Sequence, residues 1–284
     1  MARWLVTGAA GMLAHDLLPR LADAGHDVTA LHRADLDVTD AQACEAAVES
    51  HDVVANLAAW TAVDDAETRE AEAFAVNAVG PANLAVACAR TQARLVHVST
   101  DYVFSGDATT PYAVDAPIAP RSAYGRTKAA GEWAVLAHCP SALVVRTAWL
   151  YGAGGSNFAA TMARLAGERK TLAVVDDQQG QPTWTVDLAD ALVRLVDADA
   201  PGGIWHGTGS GETTWFDFAR AIFEELGLDP ERVTPTTTDA FPRPAPRPAY
   251  SVLGHERWSA AGLEPLANWR EALRRAAPTV LRTS

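Results

Sequence analysis

Two rhythms of apolar and polar residues alternate along the chain. Short β-branched or apolar runs at 3–6, 27–31, 52–57, 94–99 and 142–147 read as strands. Between them, the stretches 12–24, 41–49, 70–91 and 123–138 carry apolar residues at helical spacing, and Leu13, Leu17, Leu18 and Leu21 form one such stripe. Apolar strands separated by helices predict βαβ units and a parallel sheet covered on both faces.

After about Tyr151 the rhythm loosens. Helices are expected at 157–167, 185–198, 215–226 and 268–277, and short strands at 171–175 and 203–207. Residues 234–248 are rich in Thr and Pro, which excludes a regular helix. The pattern is that of an α/β chain in two parts: a Rossmann-type doubly wound parallel sheet over 1–150, and a smaller C-terminal α/β lobe over 151–284, partly interleaved with it.

Composition narrows the class. At 284 residues, 49% hydrophobic and 20% charged, the chain can bury a core without disulfides or metals. A net charge of -12 leaves no basic footprint, so nucleic acid is not an expected partner. Cys44, Cys88 and Cys139 lie far apart without metal-ligand spacing, as free thiols do in a reducing compartment. No run is expected to reach the length of a membrane span and no signal peptide is visible, which makes the cytoplasm the expected compartment. The eight histidines form neither HxH nor HExxH, and no metal is predicted.

The first strand runs into Thr7-Gly8-Ala9-Ala10-Gly11-Met12-Leu13-Ala14. Glycines here allow a tight turn, and the N-terminus of the following helix offers free N–H groups to a pyrophosphate. The spacing departs from the plain dinucleotide fingerprint, and Ala14 takes the third glycine's place. A carboxylate after the second strand would bind a ribose 2′-hydroxyl and repel a 2′-phosphate; His32 and Arg33 stand there instead. That favours NADPH, or acceptance of NADH as well, although a solvated surface pair is the competing reading. In Asp37-Val38-Thr39-Asp40, the first carboxylate suits an adenine amino group and the last suits a helix N-cap.

Ser99 and Thr100 close the fourth strand, and Tyr124 and Lys128 lie four residues apart on one helical face. Reducing a ketone leaves charge on oxygen. A phenol can supply the proton if a nearby ammonium lowers its pKa, and a hydroxyl from Thr100 or Ser99 can hold the carbonyl.

In order and spacing these features resemble the extended short-chain dehydrogenase/reductases. Longer stretches are similar to the dTDP-4-dehydrorhamnose reductase family over nearly the whole chain. They include Asn56-Leu57-Ala58-Ala59-Trp60-Thr61-Ala62-Val63-Asp64, Val98-Ser99-Thr100-Asp101-Tyr102-Val103-Phe104 and Asp177-Gln178-Gln179-Gly180-Gln181-Pro182-Thr183. The resemblance implies NAD(P)H-dependent reduction of the 4-keto group of a dTDP-4-keto-6-deoxy-hexose, dTDP-L-rhamnose being the familiar product. It assigns Thr100, Tyr124 and Lys128 to catalysis. It implies cofactor contacts from Gly8, Ala10, Gly11, Met12, Leu13, His32, Arg33, Asp37, Val38, Leu57, Ala58, Ala59, Asn77 and Ser99, together with Tyr124 and Lys128. Thr61, Val63, Asp64, Thr100, Asp101, Trp149, Asn157 and Arg247 fall where the family lines its sugar-nucleotide pocket, with the segment around Arg243 and Arg247 either a surface loop or a flap over the diphosphate.

Some relatives bind Mg2+ at a dimer interface, but His15-Asp16 and Thr185-Val186-Asp187 do not reproduce those ligands. A homodimer stays open as a partner state. Trp184, Trp205, Trp215, Trp258 and Trp269 are expected in the core, with Trp149 beside the site. Two other classes compete: an epimerase or dehydratase of the same superfamily, and a non-catalytic NADP-binding regulatory protein.

Overall fold

The computed structural model describes residues 1–282. Six parallel strands form its central sheet: β1 (Arg3–Thr7), β2 (Asp27–Leu31), β3 (Val53–Asn56), β4 (Arg94–Thr100), β5 (Leu143–Thr147) and β6 (Gly203–His206), in the order β6-β5-β4-β3-β1-β2. This is the Rossmann-type doubly wound architecture. Side chains that alternate along each strand feed two cores. On one face, α1 (Met12–Asp23) and α6 (Thr185–Asp197) pack Leu13, Leu17, Leu188 and Leu192 against Val96 and Val145. On the other, α2 (Ala41–Val48), α3 (Gly80–Thr91) and α4 (Ala123–His138) pack Cys44, Leu84, Cys88 and Val135 against Leu95 and Val144.

The second half contributes to this sheet. Strand β6 pairs with β5, and α6 lies on α1. The rest of that half builds a third core from α5 (Phe158–Glu168), α7 (Trp215–Glu225) and α8 (Trp269–Val280). Those helices lie against a parallel pair, Leu172–Val175 with Val233–Thr236. The Val233–Thr236 strand falls in the Thr/Pro segment where no strand was expected. Pro235 is tolerated because a two-stranded ribbon consists only of edges, where a missing N–H costs no ladder bond.

The 70–91 stretch is not one uniform helix. It runs Glu70–Phe74, widens into a π-turn at Ala75–Val79, then continues as α3. Pro81 explains the widening: in a regular α-helix its ring would strike the carbonyl of Asn77, four residues back. By length and composition this Glu70–Thr91 segment, at 22 residues and mean hydropathy 1.2, could cross a membrane, contrary to expectation. Half of it is buried inside the chain, where Leu84, Ala85, Ala87 and Cys88 belong to the second core. The short helix Glu256–Ala260 was also unforeseen; its Trp258 fills the first core.

Candidate active site

A cleft of about 1320 Å³ opens at the carboxyl ends of the strands, between the sheet and the second lobe. One end is the turn after β1. Gly8 has φ +68, and a Cβ there would lie 2.7 Å from the Ala58 nitrogen, so only glycine fits. Gly11 is the N-cap of α1 and supplies no side-chain cap, leaving the first helical N–H groups free for a ligand. Gly8, Ala10, Gly11, Met12 and Leu13 line the cleft, as do Leu57, Ala58 and Ala59 after β3. Ala14 is fully buried in the first core, so its methyl is accommodated.

Arg33, Asp37 and Val38 also line this end, whereas His32 is exposed and lies outside the lining; its backbone N–H donates to Asp35 at 3.0 Å. The Thr39 N–H and hydroxyl donate to one Asp37 oxygen at 3.0 and 2.8 Å, which lowers its pKa and leaves the other oxygen for a ligand. Asp40 caps α2, accepting from the Gln42 and Ala43 N–H groups.

The floor is built from the end of β4 and the start of α4. Ser122 caps α4, and Gly125 lets the helix sit against the Tyr102 carbonyl, where any Cβ would collide. Thr100, Asp101, Tyr124 and Lys128 come together in the lining. The Thr100 hydroxyl donates to Asp101 at 3.0 Å and accepts from the Tyr102 N–H at 3.3 Å. Burial pushes the Tyr124 phenol up to about 12, against the nearby Thr100 hydroxyl; the lowering expected from the lysine is not seen, because Lys128 points elsewhere. Its ammonium donates to the Val98 carbonyl at 2.7 Å, and burial brings it down to about 8 against the pull of Glu132. Burial also raises Asp101 to about 6, opposed by the Ser251 and Thr100 hydroxyls.

Both strand-end hydroxyls already donate to a carboxylate, so Thr100 reaches a carbonyl only by turning its proton from Asp101. Ser99 lines the cleft, but its hydroxyl donates to Glu132 at 2.6 Å, in a buried pair with Arg146. Asn77, read as a cofactor contact, is fully buried and outside the lining. From the π-turn its amide accepts from the Trp60 N–H at 2.8 Å and donates to the Trp60 carbonyl and the Thr127 hydroxyl, tying the rim to the catalytic helix.

Residues read as substrate contacts divide. Thr61, Val63, Thr100, Asp101 and Trp149 face the cleft. Asn157 does not. It is buried as the N-cap of α5, accepting from the Ala160 N–H at 3.0 Å and donating to the Gly152 and Gly155 carbonyls at 2.7 and 2.9 Å, so its amide is spent on the backbone. Asp64 and Arg247 are outside the lining and bound to each other at 2.8 Å. Burial raises Asp64, but the Ala245 N–H, Arg247 and Arg243 outweigh it and hold the carboxyl below its usual range. The pair fastens the Arg243–Arg247 segment to the rim.

Trp215 was read as core and is a wall of the cleft, stacked on Trp149 with ring centroids 3.5 Å apart and planes 9° from parallel. Its helical partners Phe218 and Ile222 are core, and nothing in the local pattern separates Trp215 from them. Trp149 holds φ +48, a region uncommon for a bulky residue, and packs on Gly180, where a Cβ would come within 2.6 Å of the indole. No cluster of metal-ligating side chains occurs among the described residues.

Comparison with known proteins agrees with this geometry. The chain is 55% identical over 283 residues to a probable dTDP-4,6-dihydroxy-2-methyloxan-3-one 4-ketoreductase of Streptomyces antibioticus, covering 98% of this chain and 96% of the relative. It is 55% identical over 285 residues to a dTDP-4-dehydrorhamnose reductase of Streptomyces griseus, covering 98% and 94%. A dTDP-4-dehydrorhamnose reductase from Bacillus anthracis, solved in complex with NADP, superposes with a TM-score of 0.93 at 36% identity, covering 97% of this chain and 98% of that one. The model of the RmlD substrate binding domain matches residues 2–281, and the chain belongs to that family.

Proposed function

We propose that this chain is an NAD(P)H-dependent reductase of the 4-keto group of a dTDP-4-keto-6-deoxy-hexose. The first candidate reaction is dTDP-4-dehydro-L-rhamnose to dTDP-L-rhamnose, and the second is the equivalent step for a related deoxysugar. The observation that carries this reading is the half-buried Tyr124 phenol beside Thr100, with Lys128 one turn away, on the floor of a cleft that begins at the Gly8–Gly11 turn. A cleft of about 1320 Å³ exceeds the roughly 300–1,000 Å³ of a single-ligand pocket, as a cofactor and a nucleotide-sugar together require.

NADPH, when bound, supplies the hydride. Gly8, Ala10, Gly11, Met12 and Leu13 would hold its pyrophosphate, Arg33 its 2′-phosphate, and Asp37 and Val38 its adenine end. The Thr100 hydroxyl, turning its proton from Asp101, would orient the sugar carbonyl. Tyr124 transfers its phenolic proton to the developing alkoxide. The Lys128 ammonium, one turn along and held on the Val98 carbonyl, would stabilise the phenolate left behind once it turns toward it. Residues 1–150 hold the cofactor and the proton donor, while 151–284 select the sugar, with Trp215 from that half stacked on Trp149 at the end of the first. The compartment we propose is the cytoplasm, in keeping with three free, buried cysteines.

The test is NADPH oxidation by purified protein given dTDP-4-keto-6-deoxy-hexoses, with the product identified by mass spectrometry and NMR. Stoichiometric NADPH consumption with formation of a 4-hydroxyl is expected. Cofactor binding without net turnover would overturn the reading in favour of a regulatory protein, or of an epimerase that recycles its cofactor.

A further inference from the structure

Thr7, Asn56 and His97 are neighbours across three adjacent strands: Thr7 is in register with Asn56, and Asn56 with His97. All three are at most 2% exposed and form a polar row across three strands of the sheet. The row ends at Lys128, whose Nζ lies 3.4 Å from His97 Nε2. The reaction proposed above uses none of the three.

The donors and acceptors of the row run in one direction. The Thr7 hydroxyl donates to Asn56 Oδ1 at 2.7 Å, and the Ala58 N–H donates to the same oxygen at 3.2 Å. A backbone N–H can only donate, so Ala58 fixes which way the Asn56 amide points. Its Nδ2 then donates to His97 Nδ1 at 3.0 Å. A neutral imidazole that accepts at Nδ1 carries its proton on Nε2. Burial, reinforced by the Lys128 charge, holds His97 well below its usual range, so the ring is neutral. The imidazole N–H therefore faces an ammonium that has only donors of its own, whereas the free amine would offer it a lone pair.

We propose that the Thr7–Asn56–His97 row is a positioning device that weakens the hold of Lys128 on its proton, by fixing the imidazole tautomer that presents Nε2–H to the lysine nitrogen. The other groups around Lys128 do not supply this effect. On its own helix Glu132 favours the ammonium, but Arg146 and Ser99 share that carboxylate at 2.7 and 2.6 Å; Tyr124 is a neutral phenol. From β4 the Val98 carbonyl accepts from the ammonium and favours it too, and Asp101 is engaged with Thr100. Burial already lowers Lys128, and an imidazole N–H facing the amine would lower it further. The inference rests on the proposed reaction only for its consequence in turnover.

The chain contains two lysines, Lys128 and the exposed Lys170, so lysine-labelled protein gives two side-chain NMR signals that can be titrated directly. In His97→Gln the side chain can turn its carbonyl oxygen to the ammonium, and the Lys128 titration should rise by roughly one pH unit while Lys170 stays fixed. Asn56→Asp keeps acceptors for Thr7 and Ala58 but draws the proton to His97 Nδ1, so Lys128 should rise there too. An unmoved Lys128 in folded His97→Gln overturns the proposal. So does movement in Asn56→Asp alone, which the added charge would produce by itself. Should His97→Gln not fold, histidine-labelled wild-type protein decides: Nε2–H supports the row and Nδ1–H overturns it. A shifted Lys128 titration with an unshifted pH profile of kcat/KM would uphold the row and remove Lys128 from the proposed chemistry.

Discussion

Below the floor of the cleft, Glu132 and Arg146 pair with side chains 1% and 4% exposed; beside its mouth, Asp64 and Arg247 pair at 29% and 19%. The distances are nearly equal, 2.7 and 2.8 Å, but the physical situations are not. Removing one partner of a fully buried pair strands a charge without water, whereas near the surface water and salt replace the lost partner. The same contrast governs the other groups. On the floor, burial moves Tyr124 and Asp101 up and Lys128 down, and each neighbour then matters. At the rim, charges serve to hold a segment in place. Chemistry should therefore respond to substitutions on the floor, and affinity to those at the rim.

The largest expected effect is on the chemical step. Tyr124→Phe should lower kcat by roughly 10²–10⁴-fold, the usual worth of a general acid, while calorimetric titration finds NADPH affinity nearly unchanged. A variant that kept half the wild-type kcat would take the floor out of the reaction. Next comes the buried pair: Glu132→Ala should cost about 3–5 kcal/mol in denaturant unfolding, because Arg146 is left uncompensated and Ser99 loses its acceptor. A loss below 1 kcal/mol would erase the distinction between floor and rim.

Asp101 sharpens the contrast through pH. Its folded pKa of about 6 lies above its unfolded value, so the folded chain binds the proton more tightly. Below about pH 4 the carboxyl is protonated in both states and costs nothing; as pH rises through 6 the cost develops fully. Asp101→Asn should therefore stabilise the protein by roughly 2–3 kcal/mol at pH 8 and leave it unchanged near pH 4, read as thermal midpoints at the two pH values. The smallest effect belongs to the rim. Asp64→Ala should cost no more than about 1 kcal/mol, and less still as salt is raised. A salt-independent loss of 3 kcal/mol would mean that the Arg243–Arg247 segment is part of the core.

The chain's own pattern determined the class of fold and most of the site. Runs such as Val53–Ala55 and Leu143–Val145 are apolar on both faces, and only a doubly covered parallel sheet buries them so. The Gly8 turn and the Tyr124–Lys128 spacing are local constraints, legible because glycine's freedom and the helical repeat act over a few residues. Only the tertiary structure decided what distant neighbours do with a side chain. Asn157 and Asn77 looked like ligand contacts, yet backbone groups around them take their amides. Trp215 looked like core until Trp149 met it across 66 positions of sequence. His97 carried no signal at all, because its meaning depends on strand register with Asn56 and on a lysine arriving from another element. Periodicity records which face of an element is buried; partners in a hydrogen bond, and the pKa values that follow from them, exist only once the elements have packed.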